Sequence, residues 1–204
     1  GRALILNHLT PIMLLQILRI YLGNSDKKKQ NWLMAISDPQ LLKVFDNDVK
    51  KAVQRYYELI REMLVKSTPT ILGHMDRIKV HNMHREFFDE QAGWYLTEVS
   101  DTLELAKQKG VIVEVNTRGL QRKRSRESFP GNFALKRIAE LNIPVHLASD
   151  AHHADDLIAL FPDVAGQMIH AGITNVVQLR DAKWEAVALS DRKSTRLNSS
   201  HANI

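Results

Sequence analysis

Three short apolar runs, separated by helix-like segments, set the pattern of this sequence. The runs are TPTILGH (68–74), VIVEVNT (111–117) and VHLASD (145–150). Their nearly continuous apolar character is typical of strands covered on both faces, as in a parallel sheet. The segments around them repeat apolar residues every three or four positions, which predicts helices within 45–64, 86–109, 133–141 and 164–171. The alternation predicts an α/β fold with a helix-covered parallel sheet, in which 175–180 is a further strand.

Polar side chains stand where each predicted strand ends. His74, Asn116 and Asp150 take these positions, and His152 follows two residues after Asp150. In a parallel α/β barrel the carboxyl ends of the strands open on one face, where active sites are built, so these side chains are expected to converge. His74, Asp150 and His152 together form a nitrogen and oxygen set that suits zinc, manganese or iron better than calcium. The alternative is a capping aspartate beside surface and structural histidines, and His153 is interpreted as structural.

A basic loop, RGLQRKRSRESFPG, follows the second strand. Arg118 lies two residues beyond the strand end, where a guanidinium could hold a phosphate through a bidentate fork. The later basic residues of the loop are expected to be solvated. Glu114 and Asn116 share one face of the strand and could orient a ligand or a water molecule, although a buried structural role for Glu114 is equally compatible with its position.

The charge and cysteine content narrow the function classes. The net charge is +5, but residues 21–190 contain 23 basic and 22 acidic residues, so the body of the chain gives no charge argument for nucleic-acid binding. The chain has no cysteine, which excludes disulfides and cysteine-ligated zinc and suits a reducing cytoplasm. Asn7, Pro11 and Arg19 interrupt the apolar segment 1–20, so we expect no transmembrane helix.

The last segment, DRKSTRLNSSHANI (191–204), has no apolar period. Its first eleven residues match the translation of a common short-read sequencing adapter without a gap. We therefore interpret 191–204 as an artefactual tail, predicted to be unstructured and dispensable, with an ordinary disordered basic tail as the alternative.

Taken together, three segments resemble the polymerase-and-histidinol-phosphatase (PHP) family of metal-dependent phosphoesterases. They are ILGHMDRIK (71–79), VIVEVNTRGLQRK (111–123) and IPVHLASDAHHADDLIALFP (143–162), and the resemblance extends from about Tyr21 to Leu189. It implies a distorted (β/α)7 TIM-like barrel with a trinuclear centre of divalent metal ions (Zn, Mn or Fe). The most similar branch hydrolyses L-histidinol phosphate in histidine biosynthesis, which would make that small phosphate ester the partner, with neither nucleic acid nor membrane involved.

The resemblance also implies roles for individual residues. His74 matches the G-H metal ligand of the family, and Asp150 and His152 match its D-x-H ligands. Arg118 falls in the N-T-x-G-L segment near the substrate phosphate, and Asn116 is a second candidate for substrate binding. Within such a site a metal-held hydroxide attacks phosphorus, with no protein nucleophile.

Two family motifs are missing from the sequence. The first-strand H-x-H motif and a G-S-x-H-Y segment are not found. One possible DNA coding of residues 18–21 gives Phe-Gly-Ser when it is read one base later, and this contains the Gly-Ser of the second motif. Residues 1–20 are therefore interpreted as translated out of frame. Residues 21–190 are then the C-terminal part of the barrel, and the chain as written is predicted to be inactive. Another PHP-type phosphoesterase and a non-catalytic remnant remain as alternatives.

Overall fold

The computed structural model describes residues 48–189, so the predictions for residues 1–47 and 190–204 lie outside the described part. The described part lies almost entirely in the second of the two units into which the chain divides, residues 53–204. Its helices are α1 (Val49–Lys66), α2 (Gly93–Gln108), α3 (Arg118–Gln121), α4 (Asn132–Leu141) and α5 (Phe161–His170), with 3-10 turns at Arg77–Asn82 and Ala154–Asp156. Its strands are β1 (Ile71–Leu72), β2 (Ile112–Asn116), β3 (Val145–Ala148), β4 (Asn175–Arg180) and β5 (Lys183–Ala188).

A parallel sheet in the order β1-β2-β3 forms the centre of the unit. Strand β2 lies in the middle and pairs in parallel with both neighbours, Val113 lying opposite Leu72 and Val145. Val113 and Val115 are fully buried, as the apolar run predicts for a central parallel strand. The mixed α/β class and its parallel sheet are thus confirmed for the three predicted strands.

Helix α2 carries the apolar face that its sequence predicts. Tyr95, Val99, Leu103 and Ala106 are buried, and the helix ends where Gly110 adopts a positive φ of 67°. The predicted start near Glu86 is wrong, because the helix begins at Gly93. The side chain of Asn82 binds the backbone of residues 87 and 88 instead, and these bonds hold the chain in a turn before the helix.

The segment 175–180 is a strand, but it does not continue the parallel sheet. It forms an antiparallel hairpin, β4–β5, with a strand that the sequence reading did not predict. Asp181 and Ala182 connect the two strands with φ values of 47° and 59°, the positive φ values of a type I′ hairpin turn. Within residues 48–189, no helix is both long enough and apolar enough to cross a membrane.

Candidate functional site

A pocket of about 170 Å³ opens at the carboxyl ends of the parallel strands. Four of the residues singled out in the sequence line it together, and they are His74, Asn116, Arg118 and Asp150. This is the convergence expected from their places at the ends of neighbouring strands. His152 is not among the lining residues; it is exposed, and its Nδ1 lies 2.8 Å from the carbonyl oxygen of Asp150.

Both candidate ligands on the pocket wall have unusual backbone conformations. His74 has a φ of 22° and Asp150 a φ of 49°, a region that residues other than glycine seldom adopt. The carboxylate of Glu114 holds His74 in place, since its Oε2 accepts a hydrogen bond of 2.8 Å from the His74 amide. Glu114 therefore orients the end of β1 from the neighbouring strand. Strained backbone of this kind occurs preferentially at functional sites, where surrounding contacts maintain it.

Arg118 joins the ends of β2 and β3. Its amide donates to Oδ1 of Asn116 at 2.9 Å, which fixes the turn that leaves β2. Its guanidinium donates to the carbonyl oxygen of Asp150 and lies 3.5 Å from Oδ2 of the same residue. Asn116 is buried, and its Nδ2 has no hydrogen-bond partner among residues 48–189. A buried donor without a partner is uncommon, and this one belongs to a residue that lines the pocket.

The basic loop after β2 folds back onto the sheet. The amide and carbonyl groups of Asn116 and Phe129 exchange hydrogen bonds of 2.7 and 3.0 Å, which close the loop at its base. Within it, Gly119 lies so close to Phe129 that a Cβ there would be 2.3 Å from the ring. Arg122, Lys123 and Arg124 are exposed, as expected for the later basic residues, and Arg122 and Arg124 also line the pocket.

Two arginines owe their positions to partners that local sequence patterns do not reveal. Arg122 forms an ion pair of 3.0 Å with Asp156, a carboxylate that also binds the side chain of Gln121. Arg77 approaches the pocket from the 3-10 turn, and its Nη1 lies 3.4 Å from Nε2 of His74. Arg77 was not predicted to belong to the site, although its place three residues after His74 indicates that it lies near the end of β1.

The charges of the lining favour an anion. Arg77, Arg118, Arg122 and Arg124 stand against a single lining carboxylate, that of Asp150. Guanidinium groups are planar, weakly hydrated and always charged, and their paired N–H groups match the oxygens of a phosphate or carboxylate. The pocket can therefore bind a compact oxyanion through several charge-assisted hydrogen bonds.

The same residues are a poor fit to a metal ion on their own. Among residues 48–189, no three histidine, aspartate or glutamate side chains form a group that could hold one. Arg77 faces the ring nitrogen of His74, and Arg118 faces the carboxylate of Asp150, so the ligand atoms of both are turned toward cations. The metal-binding roles of His74, Asp150 and His152 thus stay predictions.

Neither a family model nor a curated protein sequence matches the chain. The family resemblance therefore rests on the sequence motifs alone.

Proposed function

We propose that this chain is part of a metal-dependent phosphomonoester hydrolase and that its pocket binds the phosphate group of the substrate. The observation that carries the proposal is the meeting of four arginines with the unpartnered amide of Asn116 at the strand ends. A phosphate monoester is a compact anion with several acceptor oxygens, which suits a lining made of donors. Asn116 and Arg118 would thus be substrate-binding residues.

The arginines have a second role in such a reaction. Phosphoryl transfer spreads charge over the oxygens of the transferred group, and catalysis consists mainly of positioning that group and stabilising its charge. Guanidinium groups fixed before the reaction stabilise this charge without reorganising. Arg118 is the best placed for this role, because Asn116 fixes its backbone amide and Asp150 holds its guanidinium.

The family resemblance supplies the rest of the proposal. It implies that residues 21–190 belong to a distorted (β/α)7 barrel, of which β1, β2 and β3 would be three successive strands. It also implies divalent metal ions, L-histidinol phosphate as the substrate and a cytoplasmic location. Residues 48–189 do not form the metal centre on their own. Their own contribution is phosphate binding and charge stabilisation.

Two measurements test this function. Isothermal titration calorimetry of the purified chain should detect inorganic phosphate and L-histidinol phosphate, but not L-histidinol, which lacks the anion. Phosphate release from L-histidinol phosphate should then appear when the H-x-H and G-S-x-H-Y motifs are restored upstream, and should exceed release from an unrelated phosphate ester. A chain that binds L-histidinol as well as its phosphate ester, or that binds neither, would contradict the proposal.

A further inference from the structure

A buried group of charged side chains lies beside the pocket and takes no part in lining it. Lys79, in the 3-10 turn after His74, places its Nζ 2.9 Å from Oδ2 of Asp76 and 3.1 Å from Oε2 of Glu127. The side chains of Lys79 and Asp76 are 5% and 3% exposed, so their charges are almost completely withdrawn from water. We refer to Asp76, Lys79 and Glu127 as the buried ion cluster.

Further hydrogen bonds tie the cluster to the end of the basic loop. The amide of Gly131 donates to Oδ2 of Asp76 at 2.9 Å, and Nδ2 of Asn132 donates to Oε1 of Glu127 at 2.9 Å. Gly131 has no side chain to obstruct this contact, and a Cβ there would lie 2.1 Å from Oε2 of Glu127 and 2.3 Å from Nζ of Lys79. The cluster therefore connects two segments, residues 74–82 and 125–132, that are distant in sequence.

Each of these segments continues into one wall of the phosphate pocket. The first carries His74 and Arg77, and the second closes the loop that carries Arg118, Arg122 and Arg124. The separation of the two walls decides whether arginines from both can reach one phosphate. The ion cluster supplies direct polar contacts between the two segments.

Stability alone does not account for a buried ion cluster. Apolar side chains of similar volume commonly stabilise a fold as well as buried ion pairs do, because charges lose their hydration on burial. An ion pair nevertheless fixes distance and direction, which apolar contacts do not. Burial lowers the pKa of Lys79, but the carboxylates of Asp76 and Glu127 outweigh that effect and keep the pKa above its usual range, so the lysine is charged.

We propose that the buried ion cluster positions the arginine loop against the His74 segment, and that Lys79 and Glu127 are positioning residues for phosphate binding. The inference rests on the phosphate-binding role proposed above. It assigns to Lys79 an effect on phosphate affinity although the side chain does not line the pocket. A purely structural lysine would affect stability and leave the affinity of the folded protein unchanged.

The test compares two variants that each remove the basic partner of a buried or partly buried ion pair. Lys79→Met removes the centre of the cluster, whereas Arg61→Met breaks the 2.8 Å pair between Arg61 and Glu98, which joins α1 to α2 away from the pocket. Both should lower the melting temperature. Phosphate affinity, measured by calorimetry below the melting temperature, should fall about tenfold or more in Lys79→Met, the loss of roughly one charge-assisted contact, and stay unchanged in Arg61→Met.

A milder variant and a direct measurement of the loop complete the test. Glu127→Gln keeps the shape of the side chain and leaves Lys79 paired with Asp76, so we expect this variant to fold even where Lys79→Met does not. Limited trypsin digestion, followed by mass spectrometry of cleavage after Arg122, Lys123 and Arg124, should show faster cutting in Glu127→Gln than in the wild type or Arg61→Met. Phosphate affinity of Glu127→Gln should fall as well.

Each result decides the inference. If the wild type binds phosphate and the cluster variants bind it with the same affinity, the inference is overturned and the proposed function stays intact. Equal trypsin cutting of the loop in Glu127→Gln and the wild type would overturn it too. A wild-type chain that does not bind phosphate would overturn the proposed function, and this inference with it.

Discussion

The guanidinium of Arg118 lies against Asp150, with Nε 3.5 Å from Oδ2 and a further hydrogen bond to the backbone carbonyl of the same residue. The two residues are 32 positions apart in sequence and meet because β2 and β3 are neighbours in the parallel sheet. This contact links the best candidate for phosphate binding to a residue predicted to bind metal. It also holds the arginine in place before any phosphate arrives.

Replacement of Arg118 is expected to weaken phosphate binding selectively. Arg118→Gln keeps a polar side chain but loses the charge and the bidentate fork. Hydrogen bonds to charged groups contribute about 1.5–3 kcal/mol, so the dissociation constant for phosphate should rise roughly 10- to 100-fold. Calorimetric titration of inorganic phosphate measures this change.

Arg137→Gln is the matched control for that experiment. Arg137 forms ion pairs with Glu104 and Glu140, and it does not line the pocket. Its replacement removes the same charge from the chain and should leave the dissociation constant unchanged. Equal losses in the two variants would show that net charge, not the position of Arg118, governs binding.

A methyl group at Gly119 should disturb the arginine loop. A Cβ at this position would lie 2.3 Å from the ring of Phe129, so either the ring or the loop backbone must move. Overpacking of this kind costs about 1–3 kcal/mol, and we expect Gly119→Ala to lower the free energy of unfolding by that amount and to weaken phosphate binding. Urea denaturation and calorimetry measure the two effects.

Gly166→Ala is the corresponding control. Gly166 lies within α5, and a Cβ there would meet nothing within 4 Å. Alanine is the better helix former, so this variant should gain about 0.5–1 kcal/mol of stability and bind phosphate like the wild type. A Gly119→Ala variant as stable as the wild type would mean that the loop adapts to the methyl group easily.

The sequence predicted the part of the site that follows from strand periodicity. His74, Asn116 and Asp150 end apolar runs, and parallel pairing brings such ends together whatever the loops do. The positions of Arg122 and Arg124 were not predictable in this way. They depend on the Asn116–Phe129 bridge and on the Asp156 ion pair, which are contacts between segments distant in sequence.

The fold shows the same division between local and long-range causes. The faces of α1 and α2 follow their apolar spacing, and Val53, Tyr57 and Leu103 are fully buried as expected. The predicted start of α2 is too early because the helix-like spacing of apolar residues continues upstream of the helix. Hydrogen bonds to the side chain of Asn82 hold that upstream segment in a turn. The hairpin partner of β4 was missed because its turn residues, Asp181 and Ala182, lack the usual Asn-Gly signal.

His81 should make stability depend on pH in the mildly acidic range. Burial, with a smaller effect from the nearby Arg77 cation, lowers the pKa of His81 from 6.5 to about 4. The unfolded chain therefore takes up a proton at this histidine between pH 6.5 and about 4 while the folded protein does not. This contribution to stability is complete above pH 6.5 and is lost as the pH falls toward 4.

The variant His81→Gln isolates that contribution. Other groups titrate in the same range, including Glu90, whose pKa burial raises, so the difference between wild type and variant is the quantity to follow. Urea denaturation from pH 7 to pH 4 should show the wild type losing more stability than His81→Gln. Parallel curves for the two proteins would mean that His81 protonates equally easily in the folded and unfolded states.

Metal removal should separate phosphate binding from phosphate hydrolysis. Four arginines supply the positive charge of the pocket, and no three-donor metal group occurs among residues 48–189. We therefore expect inorganic phosphate to bind the chain with the same affinity before and after treatment with a chelator. The affinity should instead fall as ionic strength rises, since the pocket is open and its charges are screened by salt.

The same chelator should abolish turnover of L-histidinol phosphate once the H-x-H and G-S-x-H-Y motifs are restored. Loss of phosphate binding on chelation would show that a metal ion, rather than the arginines, holds the phosphate group.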